Sequence, residues 1–110
     1  MSNNFENFIE LDIRVGKIIS AEEFEEINKP SYLLKIDFGE EIGIKKTSAQ
    51  ITNYPLESLI NKKCIAVINL GDKQIGSIMS QCLILGSIDK NGKVLLLSPD
   101  ESSSLGDKVS

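Results

Sequence analysis

Apolar and polar residues alternate along several short stretches of the chain, which is the pattern of half-buried β-strands. In residues 11–19 the charged side chains Asp12 and Arg14 fall on one face of such a strand. The opposite face carries Leu11, Ile13, Val15 and Ile19. Gly16 interrupts this stretch, and a glycine within a strand usually marks a bulge or a sharp bend. We therefore expect a first strand that curls, as in a small closed barrel.

Four later apolar stretches predict further strands. They cover residues 32–38, 42–47, 64–70 and 78–86. The dipeptide Asn91-Gly92 separates the last of them from another apolar stretch, which predicts a β-hairpin with a type I′ turn. No internal repeat or linker divides the chain, so residues 1–110 are predicted to form one domain.

Two short segments have helical rather than alternating spacing. At the N-terminus, Asn3 and Glu6 form a capping pair, and one helical face is apolar. That face carries Phe5, Phe8 and Ile9. Because helices shorter than ~12 residues are marginal in water, this face must pack against the chain's own barrel or against a second subunit. Both alternatives are open at this stage.

A second short helix is predicted over residues 54–60, where a proline precedes apolar residues at helical spacing. It lies between the third and fourth strands. Residues 98–110 form a mostly polar extension that could pair as an edge strand or across a dimer. The predicted class is all-β, a five-stranded Greek-key barrel with a helix between strands three and four, an N-terminal helix spanning residues 1–10, and a C-terminal extension.

The amino-acid composition limits the functions that this chain can have. The chain has 110 residues, with twelve basic and sixteen acidic side chains, a net charge of −4, and no histidine. The charge argues against a general electrostatic grip on nucleic acid. The missing histidine removes the commonest general base and metal ligand, and no glycine loop that cradles phosphate is present. We expect no enzyme, no cofactor and no metal.

Cys64 and Cys82 each lie within an apolar stretch and have no metal-ligand spacing. Buried, reduced thiols are therefore expected. The N-terminal residues have neither the basic start nor the apolar stretch of a secretory signal. This predicts a cytoplasmic protein.

Several blocks carry a family resemblance. Residues 11–19, 48–52, 54–60 and 78–86 resemble, in order and spacing, the blocks of the tRNA-binding-domain family. That family has an oligonucleotide-binding (OB) barrel and occurs free-standing or appended to methionyl-tRNA synthetases. Residues 37–41 and 48–52 are similar to the CsaA branch, which is regarded as a group of export-related chaperones. The resemblance implies an OB-fold and a binding function.

In the CsaA branch, the start of the fifth strand lines an apolar pocket. The resemblance places Ile75, Ile78 and Met79 there as candidate peptide-binding residues, and the flexible thioether of methionine suits contact with varied peptides. An alternative is that Ile75 and Ile78 complete the barrel or a dimer seam. The helix residues Phe5 and Phe8, together with Ile9, are the candidate dimer interface.

Candidate RNA contacts are Lys17, Lys45, Lys73 and Ser80. OB folds bind oligonucleotides on strands two and three and on the flanking loops. Here the first of those loops, residues 22–26, is acidic. The alternative is that these lysines are ordinary solvated surface residues.

Two functions therefore follow as hypotheses. The first is a homodimeric, export-related chaperone that holds unfolded or precursor polypeptides. Its expected partners are those polypeptides and the export machinery, with no insertion into a membrane. The second is a tRNA-binding protein, free-standing or acting in trans to a methionyl-tRNA synthetase.

Overall fold

The computed structural model describes residues 3–110. Within this range it contains two short helices and nine strands. The helices are α1 (Asn4–Glu10) and α2 (Leu56–Leu59). The strands are β1 (Ile13–Glu23), β2 (Tyr32–Asp37), β3 (Ile44–Ala49), β4 (Lys63–Val67), β5 (Lys73–Ile75), β6 (Ile78–Ser80), β7 (Leu83–Ile84), β8 (Gly86–Ile88) and β9 (Val94–Leu96).

Five of the strands form one antiparallel sheet in the order β3-β2-β1-β4-β7. The long β1 pairs with β4 through its first half and with β2 through its second half. This double pairing curls the sheet into a nearly closed barrel. The predicted five-stranded, all-β, OB-like fold is confirmed.

The curl of β1 has a different origin from the predicted one. The register against β2 shifts between Ile18 and Ser20, three residues after Gly16. Gly16 instead allows close packing, because a Cβ there would lie 2.6 Å from Ile36 Cγ2 and 2.8 Å from Phe38 Cε1. Ile18 is fully buried in the core, whereas Ile19 is only half-buried. The prediction placed Ile19 on the same face as Ile13 and Val15, whereas the structure buries Ile18 with them.

The core lies inside the barrel and includes both cysteines. Cys64 and Cys82 are free and buried, as predicted. Burial raises the pKa of the Cys64 thiol to about 12 and that of Cys82 to about 11. The other buried core residues are Ile18, Tyr32, Leu34, Ile36, Phe38, Ile51, Leu59 and Ala66.

The two predicted short helices are confirmed, although both are shorter than predicted: α1 covers Asn4–Glu10 and α2 covers Leu56–Leu59. Residues 1 and 2 of the predicted first helix lie outside the described residues. The side chain of Asn3 accepts hydrogen bonds from the amides of Phe5 and Glu6 and so caps α1. Helix α1 has no buried residue. It is tied to the end of β4 by Asn69, which donates to the carbonyl of Glu10 over 2.7 Å.

The C-terminal extension pairs with the chain's own barrel. Lys108 forms an isolated antiparallel bridge with Arg14 of β1. The Arg14 guanidinium bonds Asp12 at 2.6 Å and donates to the carbonyl of Gly106 at 3.0 Å. The extension therefore occupies the edge of β1 that β2 leaves free.

The predicted fifth strand, residues 78–86, is divided into β6, β7 and the start of β8. The division follows from pairing, since β6 turns back onto β5 while β7 joins β4. The predicted hairpin at Asn91-Gly92 exists, but its turn is not type I′, because Gly92 has a positive φ and Asn91 does not. The Asp89 carboxylate accepts from the amides of Asn91 and Lys93 and holds the wider turn.

Candidate binding groove

A groove of about 550 Å³ runs between β3 on one side and β5 and β7 on the other. Strands β3 and β7 are the two outer strands of the five-stranded sheet. The groove therefore lies where the backbone ladder of the barrel is interrupted. Among the described residues, its apolar lining consists of Ile27, Ala49, Ile51, Ile75, Leu83, Ile84 and Val94. Lys73 is the one charged residue in the lining.

A second cavity of about 330 Å³ continues the groove and shares Ser48, Lys73, Ile75 and Leu83 with it. Its polar lining includes Thr47 and Ser80, which are both buried. The Thr47 hydroxyl donates to the carbonyl of Cys82 over 2.7 Å and lies 3.0 Å from the Ser80 hydroxyl. Both hydroxyls therefore have hydrogen-bond partners within the chain, and Ser80 stabilises this wall of the groove.

Strands β5 and β6 form a separate two-stranded hairpin along the groove. Lys73 pairs with Ser80, and Ile75 pairs with Ile78. Paired residues lie on the same face of an antiparallel ladder, so all four share the face directed to the groove. Met79 pairs with Gln74 and lies on the opposite face, where it is 44% exposed.

The candidate peptide-binding residues are thus divided by the hairpin. Ile75 lines the groove, and the half-buried Ile78 lies beside it on the same face. Met79 would contact a bound chain only if that chain also passed over the outer face of the hairpin.

The acidic loop has a structural role that the sequence did not indicate. The amide of Ser77, at the tip of the hairpin, donates to Glu26 Oε1 over 3.1 Å. The Ser77 hydroxyl donates to Glu26 Oε2 over 2.6 Å. The two residues are 51 positions apart, so no local pattern could have revealed the contact. The loop and the hairpin tip are joined beside the groove residue Ile27.

The candidate RNA-binding lysines do not form one patch. Lys73 lies in the groove. Lys45 lies on β3 opposite Ile36, and its positive charge partly offsets the rise in the pKa of the Cys82 thiol. Lys17 lies on β1, which β2 separates from β3.

A different cationic pair lies on the outer face of β2 and β3. Lys35 and Lys46 are directly opposite each other in the ladder, and both are exposed. Asp37 follows Lys35 on the same face, two residues further along β2. The sheet face that OB folds use for oligonucleotides therefore carries two lysines and one carboxylate at this point.

The candidate dimer residues lie together at the N-terminus. Phe5 is 70% exposed, Phe8 44% and Ile9 53%. With Leu11 and Val109 they line a small cavity of about 220 Å³ between α1 and the C-terminal extension. This apolar surface joins two segments that lie outside the five-stranded sheet.

Residues 3–110 contain neither a metal-binding cluster nor a helix that could span a membrane. No group of three or more histidine, cysteine, aspartate or glutamate side chains is placed to hold a metal ion in that range. Neither helix of the described chain has the length and apolar character needed to cross a bilayer.

Comparison with known proteins places these features in a family. Residues 13–108 match the family described as "Putative tRNA binding domain". A methionine–tRNA ligase from Pyrococcus horikoshii is 39% identical over 110 residues, which cover 96% of this chain and 14% of the ligase. The chain therefore spans about a seventh of the length of this curated relative.

Two solved structures match over the whole chain. The CsaA chaperone protein from Picrophilus torridus is 49% identical, has a TM-score of 0.93 and covers 100% of both chains. Chaperone CsaA from Bacillus anthracis str. Ames is 43% identical, has a TM-score of 0.91 and covers 100% of this chain and 99% of its own.

Proposed function

Because this chain belongs to the tRNA-binding-domain family, we propose that it is a non-enzymatic binding protein, a cytoplasmic, dimeric chaperone that holds unfolded or precursor polypeptides for export. The observation that carries the proposal is the apolar groove along β3 and β7. The similarity to two CsaA chaperones over the whole chain supports the same conclusion.

The chemistry of the groove fits a polypeptide better than a polyanion. Of the residues that the structure describes, seven apolar side chains line it and Lys73 is its one charged group. Burial of apolar side chains gains roughly 25 cal/mol per Å², and this gain does not depend on a particular sequence in the ligand. Nucleic acid would need several cations along its backbone, and the chain carries a net charge of −4.

The proposal includes a homodimer formed through α1. A seven-residue helix is too short to be stable alone, and α1 buries none of its residues on the described part of the chain. The exposed face of Phe5, Phe8 and Ile9 is continuous with Val109 of the C-terminal extension. A second copy of this face would cover the apolar surface of both chains.

The groove is tested by comparing Ile75→Asp with Ile88→Asp. Ile88 is 73% exposed on β8 and does not line the groove, so its substitution is a matched control. We expect Ile75→Asp to abolish the suppression of aggregation of an unfolded precursor at stoichiometric chaperone, because a buried carboxylate would oppose apolar contact. Ile88→Asp should retain it. If the unchanged protein, Ile75→Asp and Ile88→Asp suppress aggregation equally well, the proposal is contradicted.

A second candidate function is tRNA binding, alone or in trans to a methionyl-tRNA synthetase. The exposed pair Lys35 and Lys46 on the outer face of β2 and β3 favours it. The similarity to a methionine–tRNA ligase over 96% of this chain also favours it. In this reading Lys17, Lys45, Lys73 and Ser80 are the further candidate contacts.

The tRNA reading is tested by gel shift with Lys46→Glu and Lys73→Glu. Each should weaken tRNA binding about tenfold at low salt, because each removes one phosphate contact and adds a repulsive charge. Lys90→Glu, in the exposed turn between β8 and β9, is the control and should have a smaller effect. If the unchanged protein gives no shift at low salt, the tRNA reading is excluded.

A further inference from the structure

The hairpin of β5 and β6 is held at two points. At its base, the buried Ser80 lies 3.0 Å from the Thr47 hydroxyl of β3. At its tip, Ser77 makes two hydrogen bonds to the Glu26 carboxylate, of 3.1 and 2.6 Å. Lys73 and Ile75, which form one wall of the groove, lie between these two points.

The hairpin is also attached to β3 at its base, where the Gln81 amide donates to the carbonyl of Lys46 over 2.8 Å and the Gln81 side chain accepts from the Lys46 amide over 2.9 Å. It forms its own two-stranded sheet and shares no backbone ladder with the five-stranded sheet. The chain enters it through Gly71, which has a φ of +90° and around which a Cβ would find nothing within 4 Å. No neighbouring atom therefore restrains the chain where it enters the hairpin, and the contact at the tip fixes the far end of the hairpin to the acidic loop.

The contact at the tip is closely packed. Gly76 has a φ of +58°, and a Cβ there would lie 3.0 Å from Phe24 Cζ. Phe24 is itself buried, although it lies in the acidic loop. The tip thus rests on an aromatic ring while the neighbouring carboxylate holds Ser77.

We propose that Glu26 is a positioning residue for the groove: it fixes the hairpin in the place where Lys73 and Ile75 complete the wall. This inference rests on the proposed polypeptide-binding function. When this wall is already ordered before binding, complex formation does not have to pay the entropy of ordering it. With the contact at the tip broken, the hairpin must be ordered at each binding event, and the complex dissociates faster.

The test is the binding kinetics of fluorescein-labelled, reduced and carboxymethylated α-lactalbumin, a permanently unfolded probe. Glu26→Ala should raise the dissociation rate about tenfold, since it removes two hydrogen bonds. Its association rate should stay within about threefold of the unchanged protein. Hydrogen exchange should show faster exchange of the amides of residues 73–80, while the thermal midpoint reports whether the barrel stays folded.

Three variants separate positioning from charge. Glu26→Gln can still accept from the Ser77 amide and donate to its hydroxyl, so its dissociation rate should stay within about threefold of the unchanged protein. Glu25→Ala removes a carboxylate from the same loop and should change the rate less than about twofold. The double variant Ser77→Ala, Glu26→Ala should have the same dissociation rate as Glu26→Ala alone, because the two substitutions remove the same interaction.

An unchanged dissociation rate in Glu26→Ala would overturn the inference and leave the proposed function standing. Equal acceleration in Glu26→Gln, Glu26→Ala and Glu25→Ala would also overturn it, because the effect would then be one of charge. If the unchanged protein fails to bind the probe, the proposed function is wrong and the inference falls with it.

Discussion

Gly16 lets β1 pass close to two core side chains of β2 and its continuation. A methyl group at this position would meet Ile36 Cγ2 at 2.6 Å and Phe38 Cε1 at 2.8 Å. Both neighbours are buried in the core. The absence of a side chain here is therefore a packing requirement of the barrel.

We expect Gly16→Ala to lower the free energy of unfolding by about 1 to 3 kcal/mol, the usual cost of overpacking a core. Urea denaturation measures it. Gly43→Ala is the control, since it adds the same methyl group where nothing lies within 4 Å. Its φ of +85° limits the cost to backbone strain of about 1 kcal/mol. A Gly16→Ala protein as stable as the original would contradict the packing argument.

The buried thiols predict a loss of stability in alkali. Burial raises the pKa of Cys82 to about 11 from its ordinary value of 9.0. A group with a raised pKa in the folded state stabilises the fold fully below its unfolded pKa, and this contribution is lost as the pH rises through the folded pKa. Between about pH 8 and about pH 10, each such thiol should cost roughly 1 to 2 kcal/mol.

Urea unfolding across this pH range measures the effect. The comparison is with Cys82→Ala, which lacks this thiol. The variant should lose less stability than the original protein over the same interval, whatever its stability at neutral pH. Identical pH slopes in the two proteins would show that Cys82 ionises freely in the folded state.

At the scale of elements, α1 and the C-terminal extension both lie outside the strands of the five-stranded sheet. Asn69 ties the end of α1 to the chain after β4, and Arg14 holds Gly106 of the extension. Apolar side chains from both segments surround a single small cavity. The two chain ends together therefore present one apolar surface, which accounts for the proposed dimer contact.

Phe8→Asp should convert the proposed dimer to a monomer, because it would place a carboxylate at the centre of the apolar surface. Sedimentation velocity at micromolar concentration measures the change. Ile44→Asp is the control, since Ile44 is 56% exposed on β3, away from α1. If the original protein sediments as a monomer, the dimer proposal is wrong.

At the scale of the whole molecule, charge and apolar surface point to different ligands. The net charge is −4, and the candidate cations are divided among β1, β3 and the hairpin. The apolar side chains of the groove, in contrast, converge from the first loop, β7, β9 and the hairpin. The fold thus concentrates apolar contacts and disperses positive charge.

This arrangement predicts weak salt dependence of polypeptide binding. Between about 50 and 300 mM salt, the affinity for unfolded α-lactalbumin should change less than about threefold, since apolar contacts release no counterions. Fluorescence anisotropy measures it. A decrease of a hundredfold or more would indicate an electrostatic site instead and would favour the outer face with Lys35 and Lys46.

The sequence predicted the parts whose signals are local. The alternation of β2 and the cap of Asn3 on α1 depend on residues within a few positions of each other, and both are confirmed. The burial of the two cysteines followed from the apolar stretches around them. The type I′ turn was wrong because the Asp89 carboxylate, outside the Asn91-Gly92 dipeptide, holds a wider turn.

The candidate site was only partly accessible to the same reasoning. Ile75 and Lys73 were identified and lie in the groove, whereas Met79 lies on the other face of the hairpin. The roles of Leu83 and Glu26 were missed. Leu83 lines the groove because the predicted fifth strand is divided. Glu26 contacts the hairpin because the folded chain places it beside Ser77.

The sequence by itself determined a small β-barrel with two short helices, because hydrophobic periodicity and capping act between near neighbours in the chain. Only the tertiary structure decided that β3 and β7 leave a groove between them, that a separate hairpin forms its wall, and that Glu26 holds the hairpin tip. These features depend on contacts between residues far apart in the chain. Such contacts depend on how the strands pack in three dimensions, and local sequence patterns do not predict them.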